Sequence, residues 1–324
     1  MTISTSAAPE AAINPFDELV LDCQNSPNKI QARYETHRTN RNAQSREKLL
    51  HEGFSGWNID EILRKLVEQS KAPTGDVFAD HRYNLNFYAR PPKHIKELVA
   101  EIQHEIRDIA PTIWFSPLES LHITTLEIAS SRTKEDIDDL AARLLKDGTA
   151  LKLVNYPSEP HHRARLVKPI LSYDASAMAL SFLPAADEPT ATGGTTTDKE
   201  GHDNAYTYHN LRRDLATQVV QSGIGLAARY VVPSAHVTIA RFVSQDGFLR
   251  DDGRINKDRV AALVERIEKV NVMLREKYWP GGNEAQDMPV KGEWVVGQEQ
   301  GLEFNKGTSW YGGGEKVLIG RELE

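Results

Sequence analysis

Cysteine is nearly absent: Cys23 is the only one in 324 residues. No intrachain disulfide can form and no Cys-rich metal site can be built, which fits a reducing compartment. Long apolar runs are missing too. None approaches the roughly 20 residues that cross a bilayer, so no membrane partner is expected. The opening stretch MTISTSAAPEAAINP has no basic start followed by an apolar core. No secretory signal is therefore expected there, and the location expected is cytoplasmic or nuclear. Positive charge is in deficit, with 39 Lys and Arg against 46 Asp and Glu, for a net charge of −7. That argues against a broad basic surface tracking a nucleic-acid backbone. It leaves room for a small nucleotide or an RNA end in a local basic cleft. The glycines at 193–194 and 312–314 do not precede Lys-Ser/Thr and a helix, so they are not phosphate loops. A Gly-x-Ser-x-Gly elbow is also missing.

What is present suits an ordinary soluble core: 40% of residues are hydrophobic and 26% charged. The length fits about two domains or one large one. Residues 1–15 read as a disordered start. From 28 to 53 the chain is polar and helix-permissive, and Asn58 resembles an N-cap for a helix with Ile62, Leu63, Leu66 and Val67 on one face. This front extension ends near a linker at 71–75.

The pattern then changes. Residues 82–89 alternate as a strand and stop at Pro91-Pro92, and a helix follows with Ile95, Leu98, Val99, Ile102, Ile106 and Ile109 at helical spacing. A strand around 121–128 and a helix capped by Thr133 come next. A similar passage begins after Pro160, with strands at 165–171 and 178–183. A Gly/Thr/Asp-rich loop insertion occupies about 185–204. A helix near 208–220, a strand around 229–232 and 235–243, and a helix bearing Val260, Leu263, Ile267, Val270 and Leu274 complete it. The tail reads as two or three strands joined by Gly-rich turns. The order is a loose internal duplication.

Each half of that duplication carries one short motif, His122-Ile123-Thr124 and His236-Val237-Thr238, 114 residues apart. Strand side chains at i and i+2 project from the same face. Each motif therefore sets one imidazole beside one hydroxyl. Two such strands facing one cleft would present an acid–base pair flanked by two donors for an anionic group. Thr125 should point the other way and pack.

A chain with this order and these motifs resembles the two-histidine (2H) phosphoesterase superfamily, the RNA ligase-like and cyclic nucleotide phosphodiesterases. The resemblance covers residues 76–324 and leaves 1–75 outside it. It implies an α+β, two-lobed fold with antiparallel sheets facing a central cleft, preceded by the N-terminal helical extension. It also implies metal-independent hydrolysis of 2′,3′-cyclic phosphates on nucleotides or RNA ends, with no cofactor. His122 and His236 would be catalytic, their roles as acid and base left open, while Thr124 and Thr238 would bind the phosphate.

Four further residues are candidates for substrate contact. Arg241 stands at an odd offset from His236, on the other face of an ideal strand. Trp310 and Tyr311 suit either a base at the cleft rim or a packed hairpin turn. Tyr83, like Phe87 and Trp114, fits core packing first and a base platform second. His161, His162, His202 and His209 lack a Cys or paired carboxylate at ligand spacing, so no metal site is expected from them. Two other functions suit the same cleft. One is a repurposed acid–base enzyme, an isomerase or cyclase acting on a small metabolite. The other is a nucleotide-binding module without turnover.

Overall fold

The computed structural model describes residues 14–71, 77–188, 204–227, 231–280 and 292–323. Residues 1–13 of the start expected to be disordered, most of the expected linker at 71–75 and loop at 185–204, and part of the expected strand at 229–232 lie outside the described residues. In chain order the elements are α1 (Asp17–Asp22), α2 (Pro27–Leu50), α3 (Glu61–Lys71), β1 (Tyr83–Ala89), α4 (Lys93–Arg107), β2 (Trp114–Phe115) and β3 (Ile123–Arg132). They continue with α5 (Lys134–Lys146), α6 (Thr149–Val154), β4 (Arg165–Tyr173), β5 (Ala177–Pro184), α7 (Tyr208–Gln221) and β6 (Ala235–Arg241). The last are α8 (Lys257–Tyr278), β7 (Trp294–Val295), β8 (Glu303–Gly307) and β9 (Glu315–Ile319). The protein is α+β, mixing helices with antiparallel strand pairs.

Local chemistry sets these boundaries. Pro92 is the N-cap of α4, where its missing N–H costs nothing. Thr133 caps α5 by accepting from the Asp136 amide at 3.2 Å. Thr207 and Asn210 form a reciprocal capping box at the start of α7. The expected cap of α3 is displaced. Asp60, not Asn58, accepts from the Leu63 amide at 3.0 Å, while Asn58 bonds the Ser176 hydroxyl. A carboxylate one residue before the helix is the stronger partner for its exposed amides.

The strands form one nine-stranded sheet in the order β7-β4-β5-β6-β3-β1-β8-β9, with β2 paired to β6. The facing sheets expected from the resemblance are thus two halves of a single sheet. They join between β3 and β6 through one pair, Ile123 and Val237. These two residues are the centres of the two His-x-Thr motifs, so the seam of the sheet is where the motifs meet. Each half is built on a strand–helix–antiparallel strand unit, β1-α4-β3 and β5-α7-β6. The linking helices cross over: α4 packs on β6 and α8, and α7 packs on β3. The halves share one continuous hydrophobic core in consequence.

The front extension joins the same core. Ile30, Tyr34, Leu49, Phe54 and Trp57 are buried in it, α2 packs on β4, β5 and α8, and Trp57 stacks on Phe242 at 3.8 Å. His209 on α7 ties the extension down. Its Nε2 lies 3.0 Å from the Phe16 carbonyl and its Nδ1 3.0 Å from the Tyr34 hydroxyl. A carbonyl can only accept, so Nε2 carries the proton and Nδ1 accepts from Tyr34. A second proton on Nδ1 would reverse the Tyr34 bond and charge a buried ring. Burial, helped by Arg212, pushes the His209 pKa from 6.5 down to about 4.

The unfolded chain therefore binds this proton first as pH falls. The stabilisation is complete above about pH 6.5 and lost on the way to about 4, a loss of about 3 kcal/mol from this group. Urea unfolding at pH 7 and pH 4.5 is expected to show a fall that includes this contribution, and His209→Gln to make it smaller. An unchanged slope in the variant would count against this account.

Candidate functional site

One cleft of about 300 Å³ lies at the seam, lined by side chains from β1, β3, β6, α7 and the turn between β8 and β9. His122, Thr124, His236 and Thr238 all line it. Strand alternation delivers them: Ile123 and Val237 between them are buried at the seam, while the four polar residues are half-buried on the cleft side. Thr125 faces the core, fully buried, and donates to the Phe87 carbonyl at 2.9 Å. Neither the Thr124 nor the Thr238 hydroxyl has a side-chain partner among the described residues.

Arg241 also lines the cleft, against its ideal-strand parity, and the cause is a β-bulge. Across β5 and β6, Ser181 pairs with His236, Ala179 with Thr238, and Ala177 with Arg241, so Ile239 is an extra residue. A bulge shifts every later side chain to the opposite face. The same device recurs in β3. Thr124 pairs with Tyr88 and Glu127 with Asn86, with an irregularity at Thr125–Leu126, and this turns Glu127 into the cleft. Both strands thus read His-x-Thr-x-x-charged, with glutamate on one and arginine on the other. That common spacing is present in the sequence.

On β1 the cleft face is Asn84, Asn86 and Tyr88, with Arg82 just before the strand. Tyr83 falls on the opposite parity, beside buried Leu85 and Phe87, and packs on the core. Tyr83, the candidate for substrate contact, lies outside the cleft lining, because period-2 alternation directs it away. Trp310 and Tyr311 do line the cleft, at its rim. The Arg82 guanidinium lies 4.9 Å from the Trp310 ring and donates to the Tyr311 hydroxyl at 3.1 Å. Tyr311 in turn donates to Asp60 at 2.8 Å. Gly312 holds this turn against the motif. At φ +84° it meets the Ser120 carbonyl, which a Cβ would approach to 2.4 Å, so only glycine fits.

Asp60 comes from the front extension and closes one side of the cleft. Arg212, buried on α7, lines the opposite part and donates to the Thr125 and Val232 carbonyls at 3.3 and 3.0 Å. Neither residue carries a motif in the sequence. Only the tertiary fold reveals them.

Both imidazoles are anchored through Nδ1. His122 Nδ1 is 2.9 Å from the Ser120 carbonyl, and its ring lies against Tyr88 at 4.1 Å. His236 Nδ1 is 2.9 Å from the Ser234 hydroxyl. The Ser120 carbonyl obliges His122 to carry its proton on Nδ1, leaving a lone pair on Nε2 in the neutral ring. Burial pushes both pKa values down to about 4, with Arg90 and Arg241 adding to it at His122, and Arg212, His122 and Arg241 at His236. The charged lining is Arg82, Arg212 and Arg241 with Asp60 and Glu127, and Arg82 also donates to Asp80 at 2.9 and 2.7 Å. Among the described residues, His161, His162 and His209 do not line the cleft: His162 stacks on Tyr156 at 4.0 Å, and His202 lies outside the described residues. Among the described residues no helix is long and apolar enough to cross a membrane.

No protein-family model matches this chain, and no curated protein matches it either. The chain is similar to a solved structure titled as a conserved protein of unknown function from Agrobacterium tumefaciens str. C58. The identity is 12% over 76% of this chain and 91% of that chain, with a TM-score of 0.41. A likeness at that level carries no functional argument.

Proposed function

We propose that the protein is a phosphodiesterase of the two-histidine class that opens a 2′,3′-cyclic phosphate on a nucleotide or an RNA end. The observation that carries this reading is the convergence of both His-x-Thr motifs on one cleft with three guanidinium groups around it. In this reading the two halves of the sheet are the two lobes of the two-histidine fold, with the cleft at their seam. The guanidinium groups beside the two motifs suit a phosphate better than an uncharged small metabolite of an isomerase or cyclase.

His122 is assigned as the base, because its neutral tautomer holds a lone pair on Nε2. It takes a proton from water as the water oxygen bonds to phosphorus. His236, as imidazolium, gives a proton to the ribose oxygen as its bond to phosphorus breaks. A phosphodiester anion between the rings favours the imidazolium and raises the pKa that the empty cleft depresses. The Thr124 and Thr238 hydroxyls and the Arg241 guanidinium stabilise charge on the non-bridging oxygens. A strained five-membered ring needs only this positioning and proton transfer.

The test is turnover of the four nucleoside 2′,3′-cyclic monophosphates, and of a short oligoribonucleotide ending in the same group, with EDTA present. Hydrolysis to a single monoester isomer is expected. Failure to open any of these substrates would exclude the reading.

A further inference from the structure

A second groove, of about 430 Å³, opens behind the β6 wall of the cleft and shares Ser234, His236, Thr238 and Arg241 with it. Its floor is one face of β5, where Ala177, Ala179 and Ser181 alternate at i, i+2 and i+4. These are the residues paired across the sheet with Arg241, Thr238 and His236. Their small side chains leave open space beside the strand. Its outer wall is α2 of the front extension, which contributes His37, Arg38 and Arg41.

The two ends of this groove differ chemically. Arg38 occupies a buried position on the inward stripe of α2, donating to the Lys168 carbonyl at 2.6 Å and pairing with Glu35. It braces the helix on the strand. Arg41 and Arg241 are otherwise disposed. Arg41 stands 3.6 Å from Asp174 and Arg241 3.6 Å from Asp60, ion pairs at the limit of contact. Neither guanidinium donates a hydrogen bond among the described residues. The Arg41–Asp174 pair is exposed and so weak, whereas a guanidinium–phosphate contact is charge-assisted and bidentate. Asp174 is the one acid in the groove lining among the described residues, in a chain whose net charge is −7. Positive charge is thus concentrated where the chain as a whole is acidic.

We propose that this groove is a subsite for a second phosphate of the substrate, held between Arg41 and His37 of α2 and the β5 floor. It would be the phosphodiester that precedes the cyclic end of an RNA chain, or a further phosphoryl group on a mononucleotide. The proposal rests on the phosphodiesterase reading and names its substrate class. It also gives the front extension a role: α2 supplies the Arg41 charge and the His37 imidazole for the part of the substrate beyond the reacting ring.

The test uses the full chain and two readouts. The first is the equilibrium affinity for a trinucleotide bearing a 3′-terminal phosphate, for a nucleoside 3′,5′-bisphosphate and for a nucleoside 3′-monophosphate. The second is kcat/KM on a cyclic-phosphate-terminated dinucleotide and on the matching cyclic mononucleotide. Wild type should favour each ligand with the second phosphate by about tenfold or more. Arg41→Glu, on an exposed side chain, and His37→Ala should erase that preference and leave the mononucleotide values unchanged.

Preference for the trinucleotide alone assigns the subsite to an RNA chain, and preference for the bisphosphate alone to a phosphorylated mononucleotide. Equal values for all ligands, or a preference untouched by Arg41→Glu, would overturn the subsite even if cyclic phosphates are hydrolysed. An Arg41-dependent affinity without hydrolysis would keep the subsite and discard the phosphodiesterase.

Discussion

His236→Ala and His122→Ala are each expected to lower turnover of a 2′,3′-cyclic phosphate by on the order of 10²–10⁴, with the fold intact. Both rings are half-buried on the cleft side of their strands, so truncation enlarges the cleft without opening the core. The two variants should part company on a substrate whose leaving oxygen needs no proton. An aryl phosphodiester should restore much of the rate of His236→Ala, the variant missing the acid. His122→Ala, missing the base, should stay slow. Equal recovery of both would refute the assignment of roles. The pH profile carries a second expectation. In the empty cleft both pKa values lie at about 4, so at neutral pH both rings are uncharged. Since kcat/KM reports the free enzyme, it should decline as pH rises above about 5. The bound phosphate raises the pKa of the acid, so kcat should hold to higher pH. A flat kcat/KM from pH 5 to 8 would show that the free imidazoles are not so depressed.

The elements of the fold were legible where periodicity was strong. The helices bearing Ile95–Ile106 and Val260–Leu274, and the strands through both motifs, lie where their spacing puts them. So do the caps at Thr133 and the turn of Pro91-Pro92. What escaped was long-range. Parity arguments assume an unbroken strand, and the bulges at Ile239 and near Thr125 break it; this is why Arg241 and Glu127 reach the cleft. Asp60 and Arg212 are single charged residues in unremarkable surroundings, brought in by docking of the extension and by the crossing of α7. Tyr83 shows the converse, since simple alternation with the cleft-facing Asn84 and Tyr88 was enough to direct it away. The joining of both halves into one sheet depends on the Ile123–Val237 pair and on the two-residue β2 against β6, which no local pattern announces.

Breaking the buried ion pair behind His122 is expected to have the largest effect on stability. Arg90 and Glu303 are buried, at 6% and 0% exposure, and Arg90 Nε donates to Glu303 Oε2 at 2.8 Å. The same guanidinium donates through Nη1 to the Ser120 and Leu121 carbonyls at 3.1 and 3.2 Å. It therefore fixes the carbonyl that orients the His122 ring. Burial alone would raise the Glu303 pKa, but Arg90 and then Lys316 overcome it and hold the carboxyl below its ordinary value.

Arg90→Met removes the main partner and leaves a carboxylate in the core, a change worth about 3–5 kcal/mol. Lys316 at 3.1 Å and Gln300 at 2.6 Å remain on Oε1, which places the expected loss toward the lower end of that range. The sign with pH follows from the same carboxyl. Without Arg90 its pKa rises, so the loss should be full at neutral pH and shrink as acid neutralises Glu303. The double variant Arg90→Met/Glu303→Leu removes both charges and should regain most of the stability. It should not regain activity, because the Ser120 and Leu121 carbonyls still lack their donor and His122 loses its fixed orientation, at about tenfold or more in kcat. Chemical denaturation at pH 7 and pH 4.5, with kcat for both variants, checks each part. If the double variant recovers stability and kcat together, Arg90 stabilises the core without positioning His122.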